Sequence, residues 1–142
     1  MKKITKLMAL AIAFLFQGCT GQEVARSEIT GIWIAEDGGK FTFSEDGTFK
    51  VESLAGSKFF SGFDKYENKT FNETGKWELK ENYGRQVVAI NIDRSETLQT
   101  GFSTQFEISG EGTFGDNPTW YLFVWVGDPD DMNKYKFEKQ KE

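Results

Sequence analysis

Alternation with a period of two runs through most of this chain and restricts its fold more than any other feature. Phe41 and Phe43 alternate with Lys40, Thr42 and Ser44, and Phe49 and Val51 alternate with Lys50 and Glu52. Between the two runs, Glu45-Asp46-Gly47-Thr48 holds the Asp-Gly pair that accepts the positive φ of a tight hairpin. Successive strand residues point to opposite faces, whereas a helix would need its apolar residues three or four apart. The spacing therefore predicts two strands and a turn.

The same reasoning extends along the chain. Gly31 to Ala35 reads as a short first strand. In Gly75 to Glu81, Trp77 and Leu79 alternate with Lys76, Glu78 and Lys80, and Asn82-Tyr83-Gly84 reads as the turn that follows. Arg85 to Asp93 places Val88, Ile90 and Ile92 on one face and Val87 and Ala89 on the other. Phe102, Phe106 and Ile108 share a face of the next strand. Thr119 to Val126 is apolar on both faces, with Trp120, Leu122 and Val124 opposite Tyr121, Phe123 and Trp125. Tyr135 and Phe137 alternate with charged residues in the last strand. Gly56 to Thr70 is less regular, and Phe59, Phe60 and Phe63 fit either a bulged strand or one turn of helix. The result is an all-β antiparallel meander of about eight strands, which periodicity alone leaves open between a closed barrel and a two-sheet sandwich.

The N-terminus carries a different signal. Lys2, Lys3 and Lys6 precede an unbroken apolar run from Leu7 to Phe16, and Gly18 precedes Cys19, the only cysteine. This is the layout of a secretory signal peptide, and its apolar core is shorter than the ~20 residues of a spanning helix. The segment resembles a bacterial lipoprotein precursor, which implies cleavage before Cys19 and acylation of its thiol. In Gram-negative lipoproteins, Thr20 rather than Asp after that cysteine implies the outer membrane, with the domain facing the periplasm. The expected organisation is a signal peptide over 1–18, a lipid anchor and polar tether over 19–28, and one domain over 29–142. Acyl chains, at ~0.8 kcal/mol per buried CH₂, would be the main hold on the membrane.

Gly31-Ile32-Trp33 resembles the start of lipocalins and lipocalin-like proteins. Together with Gly75-Lys76-Trp77 and Gly127-Asp128-Pro129-Asp130, it also resembles small secreted bacterial lipoproteins of uncertain function. The resemblance implies a lipocalin-like barrel in which Trp33 closes the base.

Composition removes several functions. The chain of 142 residues has no His, so imidazole catalysis and His-ligated metal sites are excluded, and a single Cys forms no internal disulfide. Loss of Lys2, Lys3 and Lys6 with the leader leaves 14 basic against 22 acidic side chains, a balance of −8. That charge argues against a nucleic-acid partner. No catalytic residue, metal site or cofactor is expected.

Three groups remain to be weighed. Trp33, Trp77, Trp120, Tyr121 and Trp125 could line a cup for a small apolar ligand, or form core and a surface for a protein partner. Asp128, Asp130 and Asp131 could offer oxygens to a cation, but read first as a solvated turn shaped by Gly127 and Pro129. The acid pairs Glu36-Asp37, Glu45-Asp46 and Glu111 with Asp116 read as turn residues. The favoured expectation is a non-enzymatic envelope lipoprotein that binds another protein, an immunity-type inhibitor being one concrete form. A lipocalin-like binder of small apolar ligands is the rival.

Overall fold

A computed structural model of the chain describes residues 23–60, 66–111 and 119–141. Residues 1–18, expected as a signal peptide, and Cys19, Phe63 and Asp116 lie outside the described residues. The strands are β1 (Gly31–Ala35), β2 (Lys40–Phe43), β3 (Thr48–Ala55), β4 (Thr70–Asn82), β5 (Arg85–Ile92), β6 (Phe102–Glu111), β7 (Thr119–Trp125) and β8 (Lys134–Lys139). Each pairs antiparallel with its sequence neighbour. β8 returns to β1, with Trp33 opposite Lys139 and Ala35 opposite Phe137, so the sheet closes into an eight-stranded, lipocalin-like meander barrel. Closure removes every sheet edge and excludes the sandwich alternative.

Alternation determines what faces inward. Trp33, Phe41, Phe43, Phe49, Val51, Phe71, Trp77, Val88, Ile90, Phe106, Leu122 and Phe137 form one buried core. β3 needs a correction to keep this pattern. Its register slips between Val51 and Leu54, and Ser53 adopts a left-handed φ of 54° while its N–H donates to Asn72 Oδ1 at 3.0 Å. The extra residue is a β-bulge, which lets both Val51 and Leu54 point inward. Gly75 is a close-approach position, because a Cβ there would run into the Phe49 ring and the Asn91 carbonyl.

The stretch expected as a polar tether is partly packed. Arg26–Ile29 is one helical turn across the barrel end where β1 begins, and Val24 and Ile29 are buried in the core. Val24 and Arg26 to Glu28 fall within the expected tether of 19–28, and Ile29 is the first residue of the expected domain; so short an apolar pattern carries no recognisable period. The irregular segment after β3 forms one helical turn at Gly56–Phe59, one of its two expected forms. No helix among the described residues is long and apolar enough to cross a membrane.

Candidate functional site

The five aromatic candidates do not form one site. Trp33, Trp77 and Trp120 sit at the N-terminal end of the barrel, and each uses its indole N–H to close that end. Trp33 Nε1 donates to the Ile29 carbonyl at 2.7 Å and Trp120 Nε1 to Glu28 Oε1 at 3.0 Å. Trp77 Nε1 donates to the Ser44 carbonyl at 2.9 Å, while the Arg26 guanidinium stacks 4.2 Å from the Trp77 ring centroid. Glu28 is the hub. Its Oε2 accepts the Ala25 N–H at 2.7 Å, and its carbonyl accepts from Lys139 Nζ at 2.8 Å. Trp33 and Trp77 are buried and Trp120 is half-buried, and indole N–H groups drawn out of water need such partners, so these three rings are fastened into the closure.

Tyr121 and Trp125 face the other way. With Phe123 they form a row along the outer face of β7, ring centroids 5.8 and 5.2 Å apart. β8 supplies cations to the row. Lys134 Nζ lies 4.2 Å from the Phe123 centroid and 5.1 Å from that of Trp125, and Lys136 Nζ lies 4.4 Å from that of Tyr121. Lys136 also pairs with Glu138 at 3.0 Å, whereas no carboxylate among the described residues pairs with Lys134. Tyr121 and Trp125 remain partly exposed. Aromatic rings interleaved with ammonium groups give large contact area and cation–π contacts at low entropic cost, which suits a protein-facing surface.

The barrel interior leaves little room. Its internal void is about 10 Å³, lined by Phe rings of β2, β3, β4 and β6 together with Glu73 and Ser95. Small-molecule sites run to roughly 300 Å³ or more. The larger hollows are outside, including an open groove of about 910 Å³ between the N-terminal helical turn, β1 and the end of β8, where Ile32 lies.

Two polar clusters escaped the sequence reading. Ser95 is fully buried, donates to Glu73 Oε1 at 2.5 Å and accepts the Leu98 N–H at 3.0 Å, tying the β5–β6 connection to the barrel wall. Extending the alternation of Trp77 back through Gly75 would have placed Glu73 inward. At the β1–β2 turn, Asp37 accepts from the Tyr135 hydroxyl at 2.9 Å, from the Gly39 N–H at 3.1 Å and from Lys58 Nζ at 3.1 Å. Partial burial acts to raise the Asp37 pKa, but these three donors outweigh it and hold the carboxyl below its ordinary value. Burial first, and then the hydrogen bond to Asp37 and the Asp37 charge, push the Tyr135 phenol well above its ordinary range. No local pattern could reveal this contact, which joins residues 98 positions apart.

The acidic run at Asp128, Asp130 and Asp131 is a capped turn. Asp128 Oδ1 accepts the Asp130 N–H at 3.0 Å at the start of a 3₁₀ turn over Pro129–Asp131. Asp46 likewise receives the Thr48 hydroxyl and N–H, which hold its carboxyl below the ordinary value. No group of three metal-ligating side chains occurs among the described residues. No family model, curated protein or solved structure matches the chain.

Proposed function

We propose that this protein is a non-enzymatic lipoprotein of the cell envelope, anchored through acyl chains on Cys19, whose barrel binds another protein. The reading places it on the outer membrane facing the periplasm, with the outer face of β7 and β8 as the contact surface. One observation carries it: of the five candidate rings, Tyr121 and Trp125 stand in a partly exposed row beside Lys134 and Lys136 on the outer face of β7, while the interior void is about 10 Å³. Lys134 supports the same surface, because a partner carboxylate would gain a cation that no carboxylate among the described residues pairs with. An immunity-type inhibitor, which masks a toxin arriving in the periplasm, is one form this could take: small, acidic and held at the membrane.

The test is affinity capture from detergent-solubilised membranes with the full chain, alongside Trp125→Ala and Lys134→Glu. Specific protein recovered by the parent and lost from both variants is the expected result. Co-purification of a small molecule, with no protein lost on either substitution, would sink the reading in favour of an apolar ligand binder. Mass spectrometry of the N-terminal peptide reads Cys19 acylation separately.

A further inference from the structure

The turn between β4 and β5 holds an unfavourable backbone at a residue that packs against nothing. Asn82 pairs with Arg85, so Tyr83 and Gly84 are the two central residues of the hairpin. Both are left-handed, at φ 49° and 74°. Asn-Gly is the favoured pair for this geometry, since an aromatic Cβ crowds the backbone there. Tyr83 is nonetheless 100% exposed. Its ring contributes no packing that would offset the backbone strain, and strain of this kind tends to persist where something beyond the fold makes use of it.

The exit of the chain indicates what lies next to this tip. The Val24 N–H donates to Gln86 Oε1 at 2.6 Å, and Gln86 Nε2 donates to the Val24 carbonyl at 3.1 Å. Gln86 is paired with Glu81, immediately inside the turn. The N-terminal strand of chain is therefore fastened beside the hairpin tip. From Cys19 to Val24 is five residues, which reach at most about 18 Å when fully extended. An acylated Cys19 would hold the tip close to the lipid headgroups, a layer roughly 6 Å deep on each side of the hydrocarbon. A tyrosine ring with its polar hydroxyl suits that layer, and an arginine can extend to its phosphates. Arg85 is exposed, and no carboxylate among the described residues pairs with it. The neighbouring Lys80 is already paired with Glu78 at 2.6 Å.

We propose that the β4–β5 tip, Tyr83 with Arg85, seats in the lipid headgroup layer and stands the barrel on its N-terminal end. Glu36, Asp93, Glu96, Asp128, Asp130 and Asp131, on connections at the opposite end, then face away from the bilayer, while Glu45 and Asp46 on the β2–β3 turn stay on the side of the tip. The outer face of β7 and β8 runs up the side of the barrel and stays open to a partner. This orientation rests on the acylation of Cys19 proposed above.

The experiment uses the full chain, processed in a lipoprotein-modifying bacterial host and reconstituted into phosphatidylethanolamine–phosphatidylglycerol vesicles. Since Cys19 is the only cysteine, acylation leaves Glu81→Cys or Met132→Cys as a single thiol for an environment-sensitive fluorophore. Nitroxide-bearing headgroups are expected to quench most emission from position 81 and to leave position 132, at the opposite end, near its lipid-free level. Adding Tyr83→Asn should abolish most quenching at 81 while the protein melts at or above the parent temperature. Equal quenching at the two positions, or quenching at 81 that Tyr83→Asn leaves intact, overturns the orientation. A Cys19 peptide without acyl mass overturns the anchor itself, and the orientation with it, by a separate readout.

Discussion

The two ends of the barrel are closed by different physics. At the N-terminal end the chain plugs its own barrel: Val24 and Ile29 are buried, and the indole N–H groups of Trp33 and Trp120 bond to the helical turn that carries Ile29. At the opposite end, Phe60 packs against Phe71 and Phe102, with centroids 4.7 Å away in each case, and Asp37, Lys58 and Tyr135 form a charged latch. Directional bonds from large rings hold one end in a single arrangement. Non-directional packing plus an ionisable latch makes the other end sensitive to pH. Both closures fill space that would otherwise admit a ligand.

Substitutions should separate the ends. Trp33→Ala removes a fully buried ring and orphans the Ile29 carbonyl, and is expected to cost about 3–5 kcal/mol in urea unfolding. Hydrogen exchange should rise first in β1 and at the end of β8; equal loss of protection at both ends would mean that they open as one unit. Phe60→Ala should cost about 3 kcal/mol, since Phe60 is nearly buried, with exchange rising at Ser95 to Gly101 and little at Arg26–Ile29.

Asp37→Asn should cost about 1 kcal/mol at neutral pH, allowing for solvent screening of a carboxyl at the surface. The sign follows from its lowered pKa. Its contribution is fully present above the ordinary value of 3.8 and is lost as pH falls through the lower folded value. The gap between parent and variant in a melting series should therefore close in acid, while the gap for Trp33→Ala should not. A difference independent of pH would remove the contrast between the ends. The smallest effect belongs to the outer face: Trp125→Ala should change stability by less than about 0.5 kcal/mol, because it is only half-buried and outside the core.

Much of the fold was legible because alternation is a local property. The hairpin of Phe41, Phe43, Phe49 and Val51 forms around Glu45-Asp46-Gly47-Thr48 with Phe41 opposite Val51 and Phe43 opposite Phe49. Glu73 was missed because β4 begins at Thr70, earlier than Gly75, where its clear pattern starts. The helical turn at Arg26–Ile29 was missed because four residues show no period, and its stability comes from the barrel end it fills. The candidate site was legible only as a set of residues. Trp120, Tyr121 and Trp125 are neighbours in sequence, yet Trp120 closes the barrel and the other two line its outside.

By itself, the sequence determined the strands, their turns and which residues share a face, since side chains two apart in a strand must point the same way. Which of the two apolar faces of β7 became the interior was decided by closure of β8 onto β1, through contacts with no local signature. Tertiary structure alone also brought Asp37 to Tyr135 and Val24 to Gln86. A period of two fixes relative direction along a strand, and only the assembled barrel says which direction is in.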